Sequence, residues 1–404
     1  MRIWLLNPFD DIPGEGRPQR YWSLARVLSE RGHEVVWWSS DWSHRRKARR
    51  RVDESALQDA GAFQLRLIEA PPYARNVGLA RLRNHRAYAQ HLNVEGGNML
   101  ESTPPDLVLC SWPPMGTAKV ASEWRVRCGC KVVMDIMDAW PDNFLMLAPA
   151  FPGASAMMRL VLRPWFRQAH KAVQSVDALS AQSDTFQVWA VNKGSHQPSH
   201  VCYLGAWPLP PEGGVLSEPV GGVVRLLYLG AMGRVYDLET VIRAVALLLK
   251  EGAAVSLDLA GQGEQEANLH RLVEELDLSE QIRFHGYLEG EALQDLLGSV
   301  DIGVIPMRPE SQVAVPYKAG EYLAAGLAIV NSLPGEMAQL MSDFDCGTEY
   351  VCGDIESMAG AIRLYLENSE LLKRARINAG RLFKERFDRS NTYVSWAEWL
   401  EAVA

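Results

Sequence analysis

Short apolar runs alternating with amphipathic helical segments constrain this chain more than any other feature. Residues 2–6 are mostly apolar, a loop bearing Gly14 and Gly16 follows, 21–28 have helical spacing, Arg31-Gly32-His33 closes that helix, and 34–38 are again apolar. Strand, loop, helix and strand within about 40 residues make the unit of a parallel doubly wound sheet, because parallel strands need a crossover and are buried on both faces. Apolar runs at 64–68, 107–110, 131–136 and 178–181 continue the pattern, which predicts one α/β domain over 1–207. Residues 208–222 hold Pro208, Pro210, Pro211, Gly213, Gly214, Gly221 and Gly222 and read as an interdomain linker. The alternation then restarts over 223–404, with strands expected at 223–230, 255–260, 282–285, 302–306 and 328–331 and helices at 238–250, 267–276, 318–325 and 355–368. The last helix is free to pack back on the first domain. A length of 404 residues agrees with two cores rather than one. The predicted architecture is α/β, two doubly wound parallel-sheet (Rossmann-like) domains facing a central cleft, where ligands bind at the carboxyl ends of the strands.

Apolar residues at 48% and charged residues at 22% exclude a disordered chain. The net charge of −8 conceals an asymmetry. Residues 1–205 carry 25 Lys and Arg against 19 Asp and Glu, or +6, while 206–404 carry 16 against 30, or −14. Six cysteines show no framework spacing, which predicts reduced thiols. No apolar run has the length of a membrane span, and the N-terminus breaks at Asn7-Pro8, so a cytoplasmic protein is expected. The thirteen tryptophans, several near basic residues, suit contact with a membrane surface.

Candidate chemistry lies at the predicted strand ends. Gly230-Ala-Met-Gly233-Arg234 joins a strand to a helix, where free N–H groups and the positive dipole end favour an anion, and Arg234 adds a fork suited to phosphate. Gly261 and Gly263 end the next strand, where backbone can approach a ligand closely. His285-Gly286-Tyr287 ends the one after. Lys318 and Glu321, three apart on a predicted helix, share a face.

From Val223 onward these residues resemble the nucleotide-sugar-binding domain of the GT-B glycosyltransferases, specifically the retaining family 4. The first half resembles it more weakly, through the Gly14/Gly16 loop, Arg31-Gly32-His33-Glu34-Val35 and Asp135-Ile-Met-Asp138-Ala-Trp140-Pro141-Asp142, the last being similar to transferases of bacterial O-antigen and capsule assembly. The resemblance implies transfer of a hexosyl or N-acetylhexosaminyl group from a nucleoside diphosphate donor, UDP-linked, to a saccharide or polyprenyl-diphosphate-linked acceptor in cell-surface polysaccharide or lipopolysaccharide biosynthesis. It implies no cofactor and no metal. Glu321 matches the second glutamate of the family's E-x7-E motif, a ribose ligand. The first glutamate's position is Val313, so Glu310 or the amides near Val313, Ala314 and Val315 would meet the donor sugar. The family's first-loop cations correspond to Ala231 and Tyr236, which leaves Arg234 and Lys318 as the implied diphosphate clamp. His285, Gly286 and Tyr287 would meet the base, Gly14, Gly16 and Arg17 would close over the donor, and Asp138 would orient acceptor or sugar, structural capping being its alternative.

Asp343-Phe344-Asp345 is an Asp-x-Asp pair but lacks the surroundings of a metal site, and the basic run at 45–51 suits anionic lipid or a lipid diphosphate better than nucleic acid. Peripheral membrane association is therefore expected at most. A sugar-nucleotide 2-epimerase of GT-B fold and a non-catalytic sugar-nucleotide- or lipid-binding protein are the alternatives. A dehydrogenase is disfavoured because Gly14-Glu-Gly16 runs into Arg17-Pro18-Gln19 instead of completing G-x-G-x-x-G.

Overall fold

The structure, a computed structural model, describes residues 1–16, 18–76, 78–148, 153–209 and 222–404. Arg17 and residues 210–221 of the expected linker lie outside the described residues. The chain divides into two compact units, one of residues 1–203 with 392–404, the other of 204–391.

The first unit is built on β1 (Arg2–Leu6), β2 (Glu34–Ser40), β3 (Gln64–Ile68), β4 (Leu107–Trp112), β5 (Lys131–Ile136), β6 (Ala178–Ala181) and β7 (Ser199–Val201). They pair in parallel in the order β3-β2-β1-β4-β5-β6-β7. Strand order reverses at β1, so the loop after β1 emerges at the switch point, where the two crossovers leave opposite faces. Ile3, Leu5, Trp37, Leu107 and Leu109 fill one face against Leu24 and Leu28 of the helix Arg20–Glu30, and Tyr393, Trp396 and Leu400 complete that core. On the other face Trp4 packs on Trp38 and edge-on against Trp124, with centroids 5.3 and 5.2 Å away.

Trp4, Trp37, Trp38, Trp112, Trp124 and Trp396 are fully buried, so these six tryptophans fill the cores of the first unit. None of the six cysteines forms a disulfide.

The second unit carries β8 (Val224–Leu229), β9 (Val255–Ala260), β10 (Ile282–Gly286), β11 (Ile302–Ile305), β12 (Ala328–Asn331) and β13 (Gly347–Glu349), parallel throughout in the order β10-β9-β8-β11-β12-β13. Its switch point falls between β8 and β11. The helix Leu238–Lys250 lays Leu238, Val241, Ile242 and Val245 on the sheet, the 3.6-residue spacing read from the sequence. The helix Tyr317–Ala324 is fixed by Tyr322, whose hydroxyl accepts the Leu229 N–H at 2.7 Å and whose ring lies where a Gly303 side chain would stand.

Candidate active site

Three strand ends of the second unit are stitched into one backbone surface. Gly230 N donates to Ala260 O at 2.9 Å, Gly261 N to Gly286 O at 2.7 Å, and Met232 N to Gln262 O at 2.9 Å. Gly261 has φ +143°, and a Cβ there would overlap the Gly230 carbonyl, so only glycine permits this approach. A Cβ at Gly263 would press on the Met232 backbone, at 2.5 Å from its oxygen. The loops leaving β8 and β11 also join: Asp237 N donates to Pro306 O at 2.7 Å, Arg308 N to Val235 O at 3.0 Å, and Tyr236 and Met307 form an antiparallel bridge.

Lys318 lies beneath this surface. A Cβ on Gly230 would stand 3.3 Å from its Nζ, so the glycine leaves the ammonium open to the loop. Its side chain is buried between the rings of Tyr228 and Tyr236, with Nζ 3.9 and 4.3 Å from their centroids, and Nζ has no hydrogen-bond partner among the described residues. Burial lowers its pKa well below the usual lysine value, opposed by the charge of Glu321. Ring faces attract a cation but supply no acceptor, so the ammonium retains its full demand for an anion. Glu321, one helical turn on, is buried with it.

The other predicted donor-site residues occupy differing environments. The Arg234 side chain is 81% exposed, loosely set 3.6 Å from Glu264, and with Tyr236, Arg243, Arg271 and Arg308 it lines a cavity of about 720 Å3. Tyr236 thus touches both Lys318 and that cavity, while a Cβ added at Gly233 would meet nothing within 4 Å. His285 bonds Asp258 through Nε2 at 2.7 Å, and Asp258 also holds Arg225 at 2.8 Å, so that edge of the imidazole is engaged on the sheet. Gly286, at φ +65°, carries the chain into Tyr287, half-exposed with its hydroxyl 3.1 Å from Glu289. Val313 is partly exposed in the loop before Lys318, followed by Ala314 and Val315. Asp343 accepts from Gln339 at 2.7 Å, and Asp345 pairs with Arg374 at 3.0 Å.

In the first unit, Gly14 turns at φ +86° against Asp53, and Gly16 leaves room for Arg45, whose guanidinium a Cβ would approach to 2.9 Å. The basic run departs from its reading as an anion-seeking surface. Arg45 pairs with Asp11 at 2.7 Å and donates to Glu15 O, Arg46 donates to the same oxygen, Arg49 pairs with Asp41, and Arg50 lies 3.1 Å from the Glu15 carboxylate. Four of its arginines are held by neighbouring acids and carbonyls, three of them pinning the loop after β1. Asp138 accepts hydrogen bonds from Ala139 N at 3.0 Å, Trp140 Nε1 at 2.9 Å and the Asn143 amide, which organises the turn after β5. Burial raises its pKa, and those donors and Arg81 pull the other way.

Sequence reasoning did not place Tyr228 and Tyr236 around Lys318, nor Arg81 and His85 beside the turn of Asp138 and Trp140. Arg81 lies 5.1 Å over Trp140 and 5.7 Å over Phe9, and Trp140 stacks on His85, which burial and Arg81 push down to about 3. Tyr236 had a signal: it stands where the resembled family carries a cation.

Residues 219–381 match the family model described as glycosyl transferases group 1. The matched segment holds the second-unit site residues from Gly230 to Glu321. Among curated proteins, the chain is 26% identical over 182 residues to a glycogen synthase of Mycobacterium tuberculosis, covering 45% of this chain and 42% of that protein. It is 25% identical over 191 residues to the amylovoran biosynthesis glycosyltransferase AmsK of Erwinia amylovora, covering 45% of each. These matches span less than half the length of either relative. Among solved structures, Anabaena Alr3699/HepE in complex with UDP aligns over the whole of both chains with a TM-score of 0.68 at 15% identity. The fold of both units is the Rossmann-like pair of the GT-B architecture.

Proposed function

We propose that the chain is a retaining glycosyltransferase of family 4 that moves a hexosyl or N-acetylhexosaminyl group from a UDP-sugar to a saccharide or polyprenyl-diphosphate-linked acceptor in cell-surface polysaccharide assembly. The observation that carries this reading is Lys318, a buried amine without a hydrogen-bonding acceptor among the described residues, beneath a glycine loop at a sheet switch point. The UDP in the HepE structure and the polysaccharide named for AmsK favour the same donor and setting.

In this mechanism the diphosphate lies over Gly230, with Lys318 and the first-turn amides of the helix beginning at Tyr317 facing its oxygens. Negative charge grows on the leaving phosphate as the sugar gains oxocarbenium character, and a fixed cation in a dry pocket stabilises that charge more than it stabilises the ground state. Glu321 holds the ribose. The acceptor hydroxyl enters from the face the diphosphate leaves and passes its proton to a phosphate oxygen, which needs no enzymic nucleophile. Asp138, in the first unit, orients the acceptor. Thermal-shift measurements with UDP-, GDP- and TDP-sugars, followed by donor hydrolysis assays, test this directly. Stabilisation by UDP-sugars is expected, and stabilisation by no nucleotide overturns the reading. Activity is expected to survive a chelator, whereas loss reversed by magnesium would give Asp343 and Asp345 a role.

A further inference from the structure

The helices Ala154–Val161 and Arg163–Ser175 of the first unit present a surface that the catalytic reading leaves unused. In the first helix only Ala154 is buried, and Met157, Leu160 and Val161 are 56, 67 and 68% exposed. Single exposed apolar residues are ordinary, but three on one two-turn helix form a patch that water disfavours. In the second helix Ala169, Ala172 and Val173 are buried and Trp165 packs edge-on against Phe144 at 5.4 Å, while Arg163, Arg167 and Lys171 are exposed. Arg159 is exposed as well. No Asp or Glu occurs between Asp142 and Asp177, and among the described residues none of these four cations has an ion-pair partner. The run at 45–51 is the contrast, since its arginines are largely held by neighbouring acids and carbonyls.

We propose that these two helices form a docking face for an anionic lipid bilayer, with Met157, Leu160 and Val161 entering the interface and Arg159, Arg163, Arg167 and Lys171 meeting headgroup phosphates. Charge selects this occupant: a basic pair of helices with no acid in its own sequence complements anionic lipid, and the apolar patch gains by entering the acyl boundary. Nucleic acid would use the cations and leave the apolar side chains in water.

Sedimentation of the full chain with phosphatidylcholine vesicles, with and without phosphatidylglycerol, tests the face without donor or acceptor, so its outcome is independent of the transferase reading. Binding to the anionic vesicles and little to the neutral ones is expected. With about 1 kcal/mol per basic residue near such a surface, the triple variant Arg159→Gln/Arg163→Gln/Arg167→Gln should bind roughly a hundredfold more weakly. Leu160→Ser/Val161→Ser should lose about tenfold, the scale of a partly inserted aliphatic pair. A charge-matched control, Arg26→Gln/Arg374→Gln/Arg381→Gln, should bind as the parent does. Because every substituted side chain is exposed, circular dichroism should be unchanged across the set. Equal binding by the triple variant and the parent, an equal loss in the control, or no vesicle binding at all would overturn the proposal.

Discussion

Arg20 in the first unit and Lys318 in the second are both long cations at the foot of a sheet, 1% and 6% exposed, and they are compensated in opposite ways. The Arg20 guanidinium meets both carboxylate oxygens of Asp135 at 2.8 Å, donates to Cys202 O at 2.6 Å and lies 4.0 Å over Trp396, while Ser180 also donates to Asp135. Burial works to lower its pKa, but Asp135 outweighs it and lifts the value well above the ordinary one. At Lys318 burial prevails. The first cation is closed and holds structure together; the second is left open where a ligand's charge can complete it. Burial alone therefore does not mark a functional charge, and the state of its partners does.

The largest effect should come from breaking the closed pair. Asp135→Asn leaves a buried guanidinium uncompensated and should cost about 3–5 kcal/mol of stability, read by denaturant unfolding; a loss below 1 kcal/mol would erase the distinction. Lys318→Met should weaken UDP-sugar binding by about 1.5–3 kcal/mol in calorimetry without lowering the stability of the ligand-free protein, because it replaces a buried amine that makes no hydrogen bond among the described residues. Unfolding of that variant on the scale of Asp135→Asn would make the two cations alike.

The titration of Lys318 sharpens the comparison further. Above its lowered pKa the amine of the free protein is neutral, and a bound diphosphate favours the ammonium, so donor binding should take up a proton and weaken with rising pH. The limit is one proton, about 1.4 kcal/mol per pH unit. Calorimetry in buffers of differing ionisation heat measures the uptake, and Lys318→Met should abolish it. In the unligated protein the sign is opposite: between the lowered value and the ordinary lysine value the unfolded chain binds more protons, so stability rises with pH over that window. The smallest effect belongs to Arg234→Ala. A side chain so exposed should contribute no more than about 1 kcal/mol to donor binding, and less in high salt.

The sequence made the architecture legible wherever residues were buried in a periodic way. Eleven apolar runs became strands, because a strand covered on both faces has no choice but apolar side chains. The edge strands β7 and β13 escaped notice, being three residues each with polar side chains, Ser199-His200-Val201 and Gly347-Thr348-Glu349. In the site, Gly230, Gly261, Gly263 and Lys318 could be named because backbone proximity demands glycine and an anion demands a cation. The tyrosine box was hidden, since Tyr228 and Tyr236 come from a strand and a loop whose meeting depends on tertiary packing. Arg234 and Lys318 looked equivalent as charges in a sequence, and only their burial separates them.

Tyr393, Trp396 and Leu400 sit in the core of the first unit, far along the chain from the strands they cover. A ribosome delivers Trp396 195 residues after Val201, an interval on the order of 10–40 s at about 5–20 residues per second. The usual order of domain folding during synthesis is therefore reversed at its last step. The half translated first is the half finished last, and until its closing helix arrives the face that Tyr393, Trp396 and Leu400 cover stays open.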